Sequence, residues 1–307
     1  MTEPHTRRLD QRSLVRRQLR ATARALLRPA AYAGTVRELA VIGAHLAAYP
    51  LGVSEPARQT EPSIEPDREP VHPALRADPT TAEIPVLLVH GYVHNRSAFL
   101  VLGRALRRAG FRYVHGLNYN PLRHDIPQLS RLLAIEADRV RAAAGSDQVM
   151  IVGHSMGGIV ARHYAQVRAQ PGTVDTVVTL GSPHLGTYTA WLGPGHAARD
   201  LHPRAAVVRH LQETARPTST RWIAFYSELD LMVTPSSSGR LTHPALAATN
   251  VVLGDTGHLS LLMSGEVTRG VIDYLADRDR GTRARPRRGG RALRAAGADV
   301  APTPWPA

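Results

Sequence analysis

MIVGHSMGGIVARHYAQ, residues 150–166, decides how the chain is read. An apolar run ends at Gly153, a serine stands two residues on, further glycines follow at 157 and 158, and a helix-compatible run continues from Ile159. Ser155 is then either a nucleophile raised on a sharp strand-to-helix turn or a serine that caps a helix. The pattern G-x-S-x-G favours the first, because a serine hydroxyl is a weak nucleophile and must meet a base and a substrate at once. The turn that lifts it is crowded. Gly153 and Gly157, on either side of His154, Ser155 and Met156, leave room for the adjoining strand and helix. Met156 enters through its backbone, since the N–H after the nucleophile is one donor toward a developing oxyanion.

The flanks of this stretch carry the fold. Short apolar runs at 83–90, 111–118, 147–153, 174–181, 221–227 and 249–254 read as strands. Helical patterns at 97–110, 127–144, after the motif, and at 259–276 separate most of them, with Gly110 placed to end the first. Strands that are apolar throughout and alternate with helices predict an α/β fold, a mostly parallel sheet with helices on both faces. Residues 53–82, rich in Pro, Glu and Asp, read as a linker before a catalytic domain at 83–277. A small cap is expected at about 188–220.

The other site residues are selected by position. The strand at 83–90 runs into His90-Gly91-Tyr92, where the glycine lets the Tyr92 N–H turn toward the site as a second oxyanion donor. His90 itself reads as a structural hydrogen-bonding group. Of the 15 histidines, His258 lies between the last strand and the closing helix, where a base belongs. Asp230, just past the strand at 221–227, is the expected acid, which holds the imidazole tautomer. Glu228 and Asp255 are its competitors. His163 is expected exposed on a helix face, and His184 and His202 as lid or surface groups. Trp191, Leu192, Leu201, Val207, Val208 and Leu211 either line an acyl site or pack the cap onto the sheet.

The 307 residues contain no cysteine, which excludes disulfides and thiolate metal sites. All 38 basic residues are arginine, and the formal net charge is +13. Residues 1–31 and 278–307 each hold eight arginines and two acids, so the stretch between them is nearly neutral. Basic ends suit an anionic membrane surface, or reflect an arginine-biased composition. No aromatic residues interleave with the C-terminal arginines until Trp305, so no specific nucleic-acid partner is expected. Residues 11–28 form a basic amphipathic helix pattern within a helical extension over 1–52, and contact with an anionic membrane through it is the expected partnership. The apolar run at 39–52 is 14 residues long, short of the roughly 20 a spanning helix needs. The expected location is cytoplasmic and peripheral to the membrane, with export through a twin-arginine-type signal as the alternative. Residues 278–307 are too poor in apolar residues to pack and read as a disordered tail.

VHGY (89–92), VGHSMGGIVAR (152–162), GSPHLGT (181–187), SELDLMVTP (227–235) and TGHLSLL (256–262), in that order, resemble an α/β-hydrolase of the bacterial triacylglycerol lipase and esterase type. The resemblance covers about 84–277. It implies the α/β-hydrolase fold, a catalytic triad of Ser155, Asp230 and His258, an oxyanion hole at Tyr92 and Met156, and hydrolysis of carboxylic esters through an acyl-enzyme with no organic cofactor and no metal. The cap and the basic N-terminus point to lipid-like or medium-chain acyl esters. An acyltransferase or thioesterase with the same triad, and a non-catalytic membrane-associated binding protein of this fold, are the alternatives.

Overall fold

A computed structural model describes residues 70–279, apart from Val93 and Asp255, together with a two-residue strand at 294–295. Six parallel strands carry it: β1 (Val86–Val89), β2 (Val114–Leu117), β3 (Val149–His154), β4 (Val174–Leu180), β5 (Arg221–Ser227) and β6 (Thr249–Leu253). They lie in the order β2-β1-β3-β4-β5-β6, and β7 (Arg294–Ala295) pairs antiparallel with β6. Residues 1–69 and most of 280–307 lie outside the described residues. So do the expected amphipathic helix, the apolar run at 39–52 and most of the tail.

The strands are buried along almost their whole length because both faces are covered. Alternate side chains divide between two cores. Leu87, Val89, Ile151, Val177 and Trp222 face one layer, which includes α4 (Ile126–Ala144), α5 (Met156–His163) and α7 (Ala206–Glu213). Val86, Leu88, Met150, Val152, Val178 and Phe225 face the other, built on α3 (Leu100–Ala109) and α9 (Gly265–Ala276). Helix α4 starts at a capping box between Asp125 and Gln128 and stops at Gly145, which takes the left-handed conformation at φ 61°.

From β1 the chain steps outward to β2, then returns across β1 to β3 and continues the other way to β6. The chain therefore leaves the carboxyl ends of β1 and β3 in opposite directions, and in open α/β sheets ligands bind at such a switch point. The motif at 153–157 and the turn at 90–92 lie at those two ends.

Two expectations need correction. The segment read as linker is helical from Pro73: α1 (Pro73–Ala77) and α2 (Pro79–Glu83) bury Leu75 and Ala82 against the core. Proline at the first turn of each helix, which sequence reading took as a sign of extended chain, is tolerated there because those N–H groups lack partners anyway. The single closing helix at 259–276 is two, α8 (Ser260–Met263) and α9. They part at Ser264, whose extended backbone lets its side chain accept the Val267 N–H and cap α9. The cap holds a 3-10 turn (Tyr188–Leu192), α6 (His196–Asp200) and α7.

Candidate active site

Ser155 sits at the junction of β3 and α5 with φ 54° and ψ −127°, a conformation L-residues avoid. Such strain costs on the order of 1–3 kcal/mol and persists only where the surroundings impose it. Burying Ile159 and Val160 on α5 contributes about 1.5–3 kcal/mol each, enough to hold the turn. The Ser155 amide is also bound to the Leu180 carbonyl at 2.8 Å. Helix α5 is pressed on the end of β1 so tightly that a Cβ at Gly157 would lie 2.1 Å from the Val89 oxygen and 2.4 Å from that of His90. Gly153 meets the same helix, with Gly158 Cα 2.6 Å from where its Cβ would be. The spacing of the two glycines thus follows from a backbone contact on each side of the serine.

The turn at 90–92 reaches the same point. A Cβ at Gly91 would lie 3.0 Å from Ser155 Cβ, so the two loops are in contact. Met156 is the first residue of α5, and its amide is among those a helix leaves without an intrahelical partner. The helix N-terminus adds a partial positive charge beside Ser155. Tyr92 follows Gly91 directly and is half-buried, with its ring near Gly193 of the cap. His90 is buried, stacked on Tyr119 with ring centroids 4.0 Å apart, and its Nδ1 lies 2.8 Å from the Gly91 oxygen. Burial pushes its pKa down to about 4, so it stays neutral, as befits a structural group.

Asp230 and His258 meet at this edge, with Oδ2 and Nδ1 2.7 Å apart and both side chains buried. The other carboxylate oxygen accepts the amides of Met232 and Val233, each at 2.9 Å. With Oδ1 occupied by two amides, Oδ2 is the acceptor in the pair and Nδ1 of His258 is the donor. That tautomer leaves Nε2 as a lone-pair acceptor, the form a general base requires. Glu228 is exposed, and Nδ1 of His258 is already paired with Asp230. Asp255 lies outside the described residues.

Two contacts tie this pair to Ser155. His154 Nε2 is 3.1 Å from the His258 carbonyl oxygen, and the two rings are 4.7 Å apart. Gly181 follows Leu180, the partner of the Ser155 amide. A Cβ there would stand 3.0 Å from Asp230 Oδ2 and 3.3 Å from His258 Nδ1. With φ 56° as well, Gly181 is the residue that lets β4 end against the pair. Sequence reading placed His154 only as part of the elbow and gave Gly181 no role. Its signal was the glycine at the strand end in GSPHLGT.

Three other histidines differ from expectation or are refined by the structure. His163 is buried rather than exposed, bonded to Ser130 Oγ at 2.8 Å, and burial lowers its pKa to about 4. His184 is likewise buried, with Nε2 3.0 Å from Thr179 Oγ1, so it is neither lid nor surface. Only His202 remains half-exposed, its ring stacked on Trp191 at 5.0 Å. Helix α5 lies between the sheet, α4 and the cap, so even its polar positions are enclosed. Arg162 is fully buried and bonds the carbonyls of His184 and Leu211. Of the six apolar cap residues, Leu201, Val207, Val208 and Leu211 pack into the core, whereas Trp191 and Leu192 stand in solvent. Among the described residues no cluster of His, Asp and Glu could hold a metal ion, and no helix is long and apolar enough to cross a membrane.

Comparisons with known proteins agree with this architecture. The family described as PGAP1-like alpha/beta domain matches residues 122–191. A GPI inositol-deacylase of Candida albicans is 33% identical over 88 residues, 29% of this chain and 18% of that protein. A triacylglycerol lipase of Pseudarthrobacter phenanthrenivorans is 43% identical over 49 residues, 16% of this chain and 15% of that one. The chain thus spans less than a fifth of either relative. Among solved structures, the mature lipase BlEst2 of Bacillus licheniformis superposes with a TM-score of 0.54 at 20% identity, covering 68% of this chain and 96% of that one. Lipase B of Aspergillus fumigatus gives 0.53 at 20% identity, covering 63% and 52%. The fold is that of an α/β-hydrolase. Over the matched stretches the chain is similar to lipases and to a GPI inositol-deacylase, as its motifs led us to expect.

Proposed function

We propose that the protein is a serine hydrolase that cleaves carboxylic esters through an acyl-enzyme on Ser155. The observation that carries this reading is the buried Asp230–His258 pair, 2.7 Å apart, linked to His154, the residue beside a strained Ser155. His258 Nε2 takes the Ser155 proton as Oγ attacks the ester carbonyl, and Asp230 stabilises the imidazolium. The amides of Met156 and Tyr92 hold the oxyanion. The imidazolium then returns its proton to the departing alkoxide oxygen, and the alcohol leaves. Water, deprotonated by the same His258, releases the acid and restores Ser155.

The substrates are lipid-like or medium-chain acyl esters. Support comes from the matched relatives, one a triacylglycerol lipase and one a GPI inositol-deacylase by name. Hydrolysis of p-nitrophenyl esters across acyl lengths tests this reading. Turnover that is greatest on medium chains and absent in Ser155→Ala supports it. No turnover on any chain length overturns it.

A further inference from the structure

Four large apolar side chains stand in solvent beside the site: Trp191 is 71% exposed, Leu192 88%, Leu231 58% and Met232 56%. They come from two segments pinned to each other. Thr189 and Thr187 both donate to the Met232 carbonyl, the Thr234 amide donates to Thr187 Oγ1 at 2.8 Å, and the Tyr188 amide donates to the Thr234 carbonyl at 2.9 Å. A fifth exposed residue, Leu122, joins them, because its backbone is packed on Gly195. The Trp191 ring is propped flat on His202. These side chains are therefore held out on a tethered scaffold.

The exposed charges on the same segments have one sign. Over 121–124, 188–204 and 231–234 the ionisable acids and bases other than histidine are Arg123, Arg199, Arg204 and Asp200. The arginines are exposed. Asp200 is half-buried and occupied by the Ile126 amide at 2.8 Å. A tryptophan and leucines set among arginines match the boundary between acyl chains and anionic headgroups: the apolar groups enter the acyl region and the guanidinium groups meet phosphate. The face also borders the chemistry, since Asp230, whose carboxylate accepts the Met232 amide, directly precedes Leu231 and Met232.

We infer that the face formed by Trp191, Leu192, Leu231, Met232 and Leu122 docks the protein on an anionic lipid surface, with the Ser155 edge of the sheet turned toward that surface. The inference builds on the proposed ester hydrolysis but concerns a separate event, binding without turnover. It assigns membrane contact to the catalytic domain in addition to any made by the basic ends of the chain.

The full chain carrying Ser155→Ala is mixed with vesicles of phosphatidylcholine alone or with phosphatidylglycerol, and binding is read by co-sedimentation and tryptophan emission. The expected result is stronger partition to the anionic vesicles and a blue shift of emission that W191F removes. The double substitution Trp191→Ser, Leu192→Ser keeps every charge. It lowers partition by about tenfold or more, while in the Ser155 background it leaves hydrolysis of a soluble acetyl ester unchanged. Arg199→Glu with Arg204→Glu removes the preference for anionic vesicles. Equal partition of the double variant and its parent overturns the inference. So does a dimer that the double variant dissociates without change in vesicle binding, since a second copy then occupies the face. Failure to hydrolyse any soluble ester is a separate outcome, which strikes the proposed reaction and leaves the vesicle result standing.

Discussion

His154 Nε2 lies 3.1 Å from the carbonyl oxygen of His258, so the residue before Ser155 holds the loop that carries its partner histidine. The proposed base and nucleophile come from positions more than 100 residues apart in sequence, and this bond ties their two loops together. His154→Ala removes it. The loop is then free to shift, and a displacement of about 1 Å costs up to about a hundredfold in rate. We expect kcat on a soluble ester to fall by tens of times with KM and the circular-dichroism spectrum little changed. Unaltered kcat contradicts this role.

Asp230→Asn keeps the shape of the acid but replaces one acceptor with an amide. The His258 tautomer is no longer enforced, and kcat is expected to drop by about four orders of magnitude. Glu228→Gln, at an exposed position, leaves kcat as it was. Comparison of the two variants on one substrate separates the acid that orients His258 from its neighbour two residues away.

Gly157→Ala puts a Cβ 2.1 Å from the Val89 oxygen, and backbone on both sides must yield. Overpacking of this kind costs about 1–3 kcal/mol or more. Thermal unfolding should begin several degrees lower and activity should fall with it, because the elbow cannot move without moving Ser155. Gly145→Ala is a control of another kind. Space is open at Gly145 but φ is 61°, so that variant loses stability from backbone strain and retains activity per folded molecule.

Acid should destabilise the fold through buried histidines. His90, His115 and His163 have folded pKa values pushed by burial from 6.5 to about 4. Between those limits the unfolded chain binds protons that the folded chain does not, so stability rises with pH and is lost as pH falls from about 6.5 toward 4. Well above 6.5 these groups contribute no slope. Denaturant midpoints measured at pH 7.5, 6.5, 5.5 and 4.5 should fall slightly over the first step and steeply thereafter. Constant midpoints down to 4.5 contradict the buried neutral state.

The elements legible in the sequence are those whose pattern has one physical cause. The apolar runs of β1, β3 and β4 are buried on both faces, and such runs have few other readings. Ser155, Asp230 and His258 are selectable because each lies on the loop at a strand's carboxyl end, and those ends share one edge of a parallel sheet. What escaped depends on packing across the sequence. His163 lies on a helix whose outer side is covered by α4 and the cap, so its helical position gave no hint of burial. Leu75 stands in a proline-rich stretch, yet it enters the core through a single helical turn. The bond from His154 to the His258 carbonyl involves a backbone oxygen, which no residue pattern encodes.

The central claim is that Ser155 is a nucleophile activated by His258 and Asp230. A fluorophosphonate reacts with such a serine and leaves a covalent mass increment. Intact-mass and peptide analysis of the wild-type chain should place one increment on the peptide containing Ser155, with none in Ser155→Ala and strongly slowed labelling in His258→Ala. An unlabelled wild-type chain, or an increment on another residue, contradicts the account.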